Sequence, residues 1–416
     1  MDEALYGQCE SLSLAVDRLK LITSHDSLTI IRHSLSAPKL NYILRTTPSA
    51  GHPALVKFDN TLRKALCSIV NVDFTDSQWL QATLPVSLGG LGIRSVSTLA
   101  PSAFLASAAG TRSLQDLLLT KSAQVNITDV DVNRVESIWC SLSKSSIPTG
   151  LAAHMQKHWD KIVTGVIHKE ILESAGDTNR PRILAVSAPH AGEWLKAFPI
   201  SSCGLRMNDE AVRVSVGLRL GARLCEPHTC VCGAKVDSLG THGLACKRGS
   251  GRIGRHNMLN DILWRALIKA NIPSIKEPTG LMRSDGKRPD GVTQIPWSEG
   301  KCVTWDVTVT DTLAAFNLAS SSAAAGNAAE AAARRKEIKY DALLARYHFV
   351  PVAMETLGPV NKRGTDFIDA VGRRLRALTG DHRERSFLWQ RLSVALQQYN
   401  AVCFRSTLEC STETIY

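Results

Sequence analysis

The sequence predicts a mixed chain, with a helical N-terminal half followed by an α/β domain that begins at a small metal-binding clip. Three observations lead there. Apolar residues recur at helical spacing early on, as Leu12, Val16, Leu19 and Ile22 and again as Leu62, Leu66 and Ile69. Four cysteines and two histidines gather between residues 225 and 246. Beyond them a β-rich apolar run at 303–309 sits between helix-prone segments.

The elements follow in order. Residues 8–110 read as mostly helical, punctuated by Pro38, Pro48 and Pro53, with a glycine-rich turn at 84–93. The spacing of Gly89, Gly90 and Gly92 fits neither a dinucleotide fingerprint nor a P-loop, so a tight packing turn is expected. Residues 111–200 form a second, more loosely patterned helical region; 189–199 reads as a loop and a short helix, with His190 in a structural role. Residues 259–268 form an amphipathic helix with Trp264 on its apolar face, 280–291 a loop, and 303–309 a buried strand. The alanine-rich stretch 312–347 is helix-prone with a break near Gly326, followed by a strand at 349–354 and helices at 365–378 and 385–399.

A length of 416 residues suggests about two or three domains, and 44% hydrophobic content excludes wholesale disorder. The net charge of +11 is uneven: residues 1–200 carry 19 basic and 17 acidic side chains, residues 201–416 carry 30 and 21. That asymmetry points to a polyanion partner for the C-terminal half. Eleven cysteines, an odd and mostly scattered set, argue against a disulfide framework. The acidic start lacks the regions of a signal peptide, and no apolar run reaches the ~18–20 residues that span a bilayer, so a soluble protein of a reducing compartment is expected, with no membrane partner.

Cys230, Cys232, His242 and Cys246 have the donor types and compactness of a structural zinc site. One residue separates the first pair, nine precede His242 and three follow it. The short first spacing strains a shared chelate and leaves Cys225 or His228 as alternative ligands. Four protein ligands would close the coordination sphere, which makes the role structural. Lys247, Arg248 and Arg252 beside the clip are placed to touch phosphates.

The second chemical group is a carboxylate pair. Asp290 follows Pro289 in a loop, and Asp306 interrupts the apolar strand, a costly position unless the charge is paired or binds a cation. Thr308 stands where such a strand often offers a lysine. The cation is therefore expected from a following helix, where Lys336, Lys339 and Tyr340 share one face. Arg255, His256 and Asn257 open the preceding helix; they are expected to position DNA, with His256 a candidate for water activation.

In this order the residues resemble the C-terminal part of non-LTR retrotransposon polyproteins that carry a restriction-enzyme-like endonuclease. The family's pattern is a Cys-Cys-His-Cys knuckle, an Arg-His-Asn helix start, a Lys/Arg-Pro-Asp loop, an Asp-centred strand and a lysine-bearing helix. It falls on Cys230, Cys232, His242 and Cys246, on Arg255 to Asn257, on Lys287, Arg288, Pro289 and Asp290, on Asp306, and on Lys336 or Lys339 with Tyr340. Segments 36–45 and 84–93 are similar to the thumb that follows a reverse transcriptase palm, and 190–199 to the motif before the knuckle. The resemblance implies a thumb-like region at 1–110, a helical linker at 111–224, a zinc knuckle at 225–246 and a PD-(D/E)xK endonuclease at 247–405. In it Asp290 and Asp306 hold magnesium, assisted by a lysine, Tyr340 and His256, while Lys247, Arg248, Arg252, Arg255, Lys287 and Arg288 bind nucleic acid.

The implied activity nicks target DNA in the nucleus for target-primed reverse transcription, with element RNA as a second partner. The family's Tyr-x-Asp-Asp turn is missing. The chain is therefore expected to depend on a polymerase palm encoded upstream and not to synthesise DNA alone. A catalytically dead nucleic-acid-binding remnant is the alternative.

Overall fold

The computed structural model describes residues 1–119, 127–249, 251–282 and 286–408. Residues 120–126 of the expected linker and 283–285 of the expected loop lie outside them. The chain divides into two compact units, Met1–Ser174 and Ala175–Tyr416. The division falls inside the expected 111–224 linker. That segment contributes helices to both units, and the clip and the sheet-bearing region belong to one unit.

The first unit is helical: α1 (Asp2–Leu19), α2 (Ser24–Ile30), α3 (Ala37–Thr46), α4 (Pro53–Val70), α5 (Asp76–Ala82), α6 (Val96–Leu119), α7 (Ile127–Ser143) and α8 (Gln156–Glu173). Helix ends are set by local chemistry. His52 caps α4 ahead of a proline in the first turn, and Thr75 with Gln78 forms a capping box on α5. Asp59 of α4 is buried, and its carboxylate accepts from Val96 N at 2.9 Å, Ser97 N at 3.1 Å and Ser95 Oγ at 2.7 Å. A side chain of one helix thus satisfies the orphan amides at the start of α6. The 84–93 turn buries Leu84, Leu91 and Ile93 completely, the packing role expected of it.

The second unit starts with α9 (Asn179–Val186), α10 (Glu193–Lys196) and α11 (Asp209–Leu220). A two-stranded hairpin, β1 (His228–Thr229) with β2 (Lys235–Val236), and the one-turn helix α12 (His242–Ala245) form the clip. Then come α13 (Gly251–Lys269), β3 (Ser274–Lys276), β4 (Gly291–Thr293), β5 (Val303–Thr310), α14 (Leu318–Ala323), α15 (Asn327–Lys339), β6 (His348–Glu355), α16 (Lys362–Thr379) and α17 (Glu384–Arg405).

The sheet runs β3-β4-β5-β6, with the first two pairings antiparallel and β5–β6 parallel. Parallel neighbours need a crossover, and α14 and α15 supply it, separated at Gly326. Alternation along β5 sorts its side chains. Val303, Trp305 and Val307 enter the core with Leu259 and Leu263 of α13, Phe367 and Val371 of α16, and Leu388 and Leu392 of α17. The intervening Thr304 and Asp306 fall on the opposite face, where Ala329, Ala332 and Ala333 of α15 pack on Ala353 of β6. Alanine on that face of α15 lets the helix approach the strands closely.

Gly291 opens β4 opposite Trp305. A methyl group there would lie 2.0 Å from the Trp305 ring, so only glycine admits the indole beneath the strand. Gly291→Ala is expected to destabilise the second unit by about 3 kcal/mol through overpacking, read as a lower urea midpoint.

Candidate active site and metal clip

β5, the residue just before β4, the N-terminal part of α13 and the last turn of α15 meet around Asp290 and Asp306. The Asp290 amide donates to Trp305 O at 3.0 Å, and its Oδ2 accepts from Val307 N at 2.6 Å, so this carboxylate lies along the strand segment that carries Asp306. Its Oδ1 lies 3.3 Å from His256 Nε2 on α13. Lys336 reaches from α15 to place Nζ 2.5 Å from Asp306 Oδ1. That oxygen is buried and, despite the ion pair, accepts no well-aligned hydrogen bond.

The charges of this cluster act on one another. Burial raises the Asp306 pKa above the usual carboxylate range, the negative Asp290 raises it further, and Lys336 and the Tyr340 hydroxyl offset part of the rise. The hydrogen bond to Asp290 raises the His256 pKa against the opposing effect of burial, with further help from both carboxylates. Asp290 and Asp306 are therefore near enough for the charge of Asp290 to act on Asp306.

Of the two candidate lysines, Lys336 is the one seated on Asp306. Lys339 Nζ donates to Tyr340 Oη at 2.8 Å, and that hydroxyl donates to Arg288 O at 2.7 Å. Tyr340 is buried against Phe349, so it ties the end of α15 to the loop that carries Asp290. Asn260 is a positioning residue that the sequence patterns do not single out. Its Oδ1 accepts from Trp305 Nε1 at 2.9 Å and its Nδ2 lies 3.5 Å from Asp290 O. The available signal was its position one helical turn after His256, on the same face.

Among the expected phosphate contacts, Arg255 is corrected. It is 2% exposed, and its guanidinium donates to Asn400 Oδ1 at 2.8 Å and Leu244 O at 3.0 Å. It braces α13 against α17 and the clip. Arg288 is committed to an ion pair with Glu277. Lys247, Arg248 and Arg252 are exposed; Arg248 Nη1 touches Val231 O at 3.2 Å and Arg252 Nη1 touches Ala245 O at 3.4 Å. Lys287 is also exposed.

In the clip, the donor atoms of Cys230, Cys232, His242 and Cys246 all lie within 4.8 Å of one another. The hairpin tip presents the first two thiols, closed by Cys230 N to Ala234 O at 2.9 Å and Gly233 N to Cys230 O at 2.7 Å. The turn of α12 presents the other two ligands four residues apart. Cys230 Sγ and Cys246 Sγ are 3.7 Å apart, and Cys232 Sγ is 3.2 Å from His242 Nε2. A tetrahedron of about 2.3 Å zinc–sulfur bonds has an edge of about 3.8 Å, so the four fit a metal such as zinc.

The short Cys230–Cys232 spacing is accommodated because the hairpin turns between them. Hydrogen bonding from the Ala234 amide, with help from neighbouring clip groups, lowers the Cys232 thiol to about 6. The two alternative ligands are occupied elsewhere. Cys225 Sγ contacts Asp237 O at 3.3 Å, and His228 bridges Glu226 O and Thr407 Oγ1, each at 3.0 Å. The clip seats on the end of α17, where a side chain at Gly243 would meet Cys403 O at 2.7 Å.

No protein-family model matches the chain, and no curated protein matches it. The site therefore rests on its own geometry.

Two outcomes are expected. Purified protein should carry one zinc by elemental analysis; His242→Ala and Cys246→Ser should lose it, whereas Cys225→Ser and His228→Ala should retain it. The second concerns charge. Because the folded-state pKa of Asp306 is raised, its ionisation opposes folding as pH climbs from the unfolded carboxylate range through the folded value. In chelator-containing buffer at pH 7, Asp306→Asn should be more stable than the parent, and the gain should shrink on acidification as Asp306 takes up its proton. Paired urea titrations at several pH values check this.

Proposed function

We propose that residues 247–405 form a metal-dependent DNA endonuclease of the PD-(D/E)xK type, the nicking portion of a non-LTR retrotransposon reverse transcriptase acting in the nucleus. The observation that supports it is the convergence of Asp290 from the loop before β4, Asp306 from β5, Lys336 from α15 and His256 from α13. Ordinary surface ion pairs have no need to bury an aspartate inside a central strand.

The donor set suits a hard cation. Asp306 Oδ1 is buried and without an aligned donor, and Asp290 adds a second carboxylate nearby. Asp290 and Asp306 would hold a magnesium-class ion, which when bound supplies Lewis-acid polarisation of a phosphate and a more acidic water. The chain's own groups do the rest. Lys336, with 24% of its side chain exposed, presents an ammonium where it offsets charge developing on phosphate oxygens. His256, anchored by Asp290, is positioned to accept a proton from water. Asn260 and Tyr340 keep the Asp290 loop in register with β5. Cleavage of one strand would leave a 3′-hydroxyl for target-primed synthesis on element RNA by a complete polyprotein.

A second reading keeps the binding and drops the chemistry, as in a dead remnant of such an element. It is favoured by the cationic side chains Lys247, Arg248 and Arg252 exposed beside the clip, and by the ion pairs that engage Asp290 with His256 and Asp306 with Lys336.

Nicking of supercoiled plasmid, measured with and without magnesium, separates the two. The parent is expected to nick only with magnesium. Asp306→Asn should lower the rate at least about a hundredfold, in line with removal of one charge that acts in the transition state, while duplex affinity stays level or rises slightly. Replacing Lys247, Arg248 and Arg252 with glutamine should instead weaken binding and reduce the salt slope by about 0.9 for each phosphate no longer neutralised. Salt-dependent affinity without nicking in any variant would establish the remnant.

A further inference from the structure

A hollow of about 630 Å³ lies between the metal clip and the loop that follows β5, away from the carboxylates of the proposed active site. Lys235 and Lys247 of the clip line one side, with Thr241 and His242; Leu313 and Phe316 of the loop line the other. The volume falls within the range of about 300–1,000 Å³ typical of small-molecule sites. Phe316 is 76% exposed, an unusual position for a phenyl ring, and both lysines are exposed.

The loop that carries the ring is tied down. Asn317 Nδ2 donates to Thr310 Oγ1 at 3.1 Å and to Asp311 O at 2.7 Å, and Thr312 N donates to Thr356 Oγ1 at 3.2 Å. The ring is thus held outward by a braced loop. Two carboxylates also line the hollow, and both are engaged. Asp237 Oδ1 accepts from the amides of Leu239 and Gly240 at 3.2 and 3.1 Å, and buried Asp311 accepts from Thr356 Oγ1 at 2.8 Å. The rim thus carries two exposed lysines and one exposed carboxylate, Asp237, beside an exposed aromatic face.

We propose that this hollow is a subsite for an unstacked nucleotide of single-stranded nucleic acid, with Phe316 stacking on the base and Lys235 and Lys247 taking the flanking phosphates. An exposed ring with paired cations matches the chemistry that holds single strands without sequence preference. An apolar partner would match the ring alone, whereas the two lysines beside it add donors for flanking phosphates. The proposal uses none of the carboxylate geometry, so it stands or falls separately from nicking.

The test uses the full chain and fluorescent twelve-nucleotide oligo(dT) and oligo(U), with a duplex of equal length as control and 2-aminopurine as a stacking reporter. Phe316→Ala is expected to weaken single-strand binding about tenfold, abolish the 2-aminopurine quench and leave the salt slope and duplex affinity unchanged. Phe316→Trp should restore binding. Lys235→Gln with Lys247→Gln should lower the single-strand salt slope by about 1.4, two phosphates at 0.7 each. Preference for dT or U tells which single strand is taken. Zinc content and circular dichroism equal to the parent show that the variants are folded, and Asp306→Asn should bind single strands like the parent. Unchanged single-strand affinity in folded Phe316→Ala overturns the proposal. So does an equal loss for single strand and duplex, or competition by poly-glutamate as effective as by oligo(dT).

Discussion

The architecture of the second unit turns on a carboxylate buried in the sheet. Asp306 sits between Trp305 and Val307, whose side chains enter the core, so strand geometry sends its own to the opposite face. There it lies beneath a helix that is alanine-rich where it touches the sheet and that brings a lysine to the one position where charge is needed. An isolated ionised carboxylate at this depth would cost several kcal/mol. Lys336 and Tyr340 offset part of that cost, and the remainder appears as the raised pKa of Asp306. A second carboxylate, Asp290, increases the repulsion. The fold thus tolerates an unfavourable concentration of negative charge at one place. Such concentrations cluster at functional sites, because the same field that opposes folding favours a bound cation.

Around that pair the surrounding structure is rigid in identifiable ways. Gly291 admits the Trp305 ring, Trp305 donates to Asn260, and Asn260 lies against the backbone of Asp290. Tyr340 fastens the same loop to the end of α15. The two acids are therefore held by neighbours that are themselves packed or hydrogen-bonded, as pre-organisation requires. The clip belongs to this framework. Its last turn seats on the end of α17, and Arg255 spans from α13 to Asn400 of α17 and Leu244 of the clip. Residues expected to meet phosphate instead include one that supports the helix on which His256 is carried.

Much of this was legible in the chain. The break at Gly326, the strand around Asp306 and the amphipathic helix bearing Trp264 follow from periodicity and glycine placement, which are local properties. The cysteine–histidine set was legible because few other arrangements use those residue types at such short range. Arg255 was misread for an equally physical reason. A basic residue at a helix start has the same sequence signature whether it faces solvent or a carbonyl across the core, and only the position of α17 distinguishes them. Asn260 passed unnoticed because its partners, Trp305 and Asp290, are 45 and 30 residues away.

By itself, then, the sequence determined which residue types were available for chemistry and on which kinds of element they would lie. It placed Asp306 inside an apolar strand, Lys336 and Lys339 on one helix, and four metal donors within a short span. Tertiary structure decided the choices that periodicity leaves degenerate. It selected Lys336 for Asp306 and gave Lys339 to Tyr340, it committed Cys225 to Asp237 and His228 to Thr407 and left the clip to the other four, and it drew the boundary between units at Ser174. The physical reason is common to all three. Each depends on which surfaces pack together over long separations in the chain, and a difference of one helical turn, invisible in composition or spacing, changes the partner of a charged group.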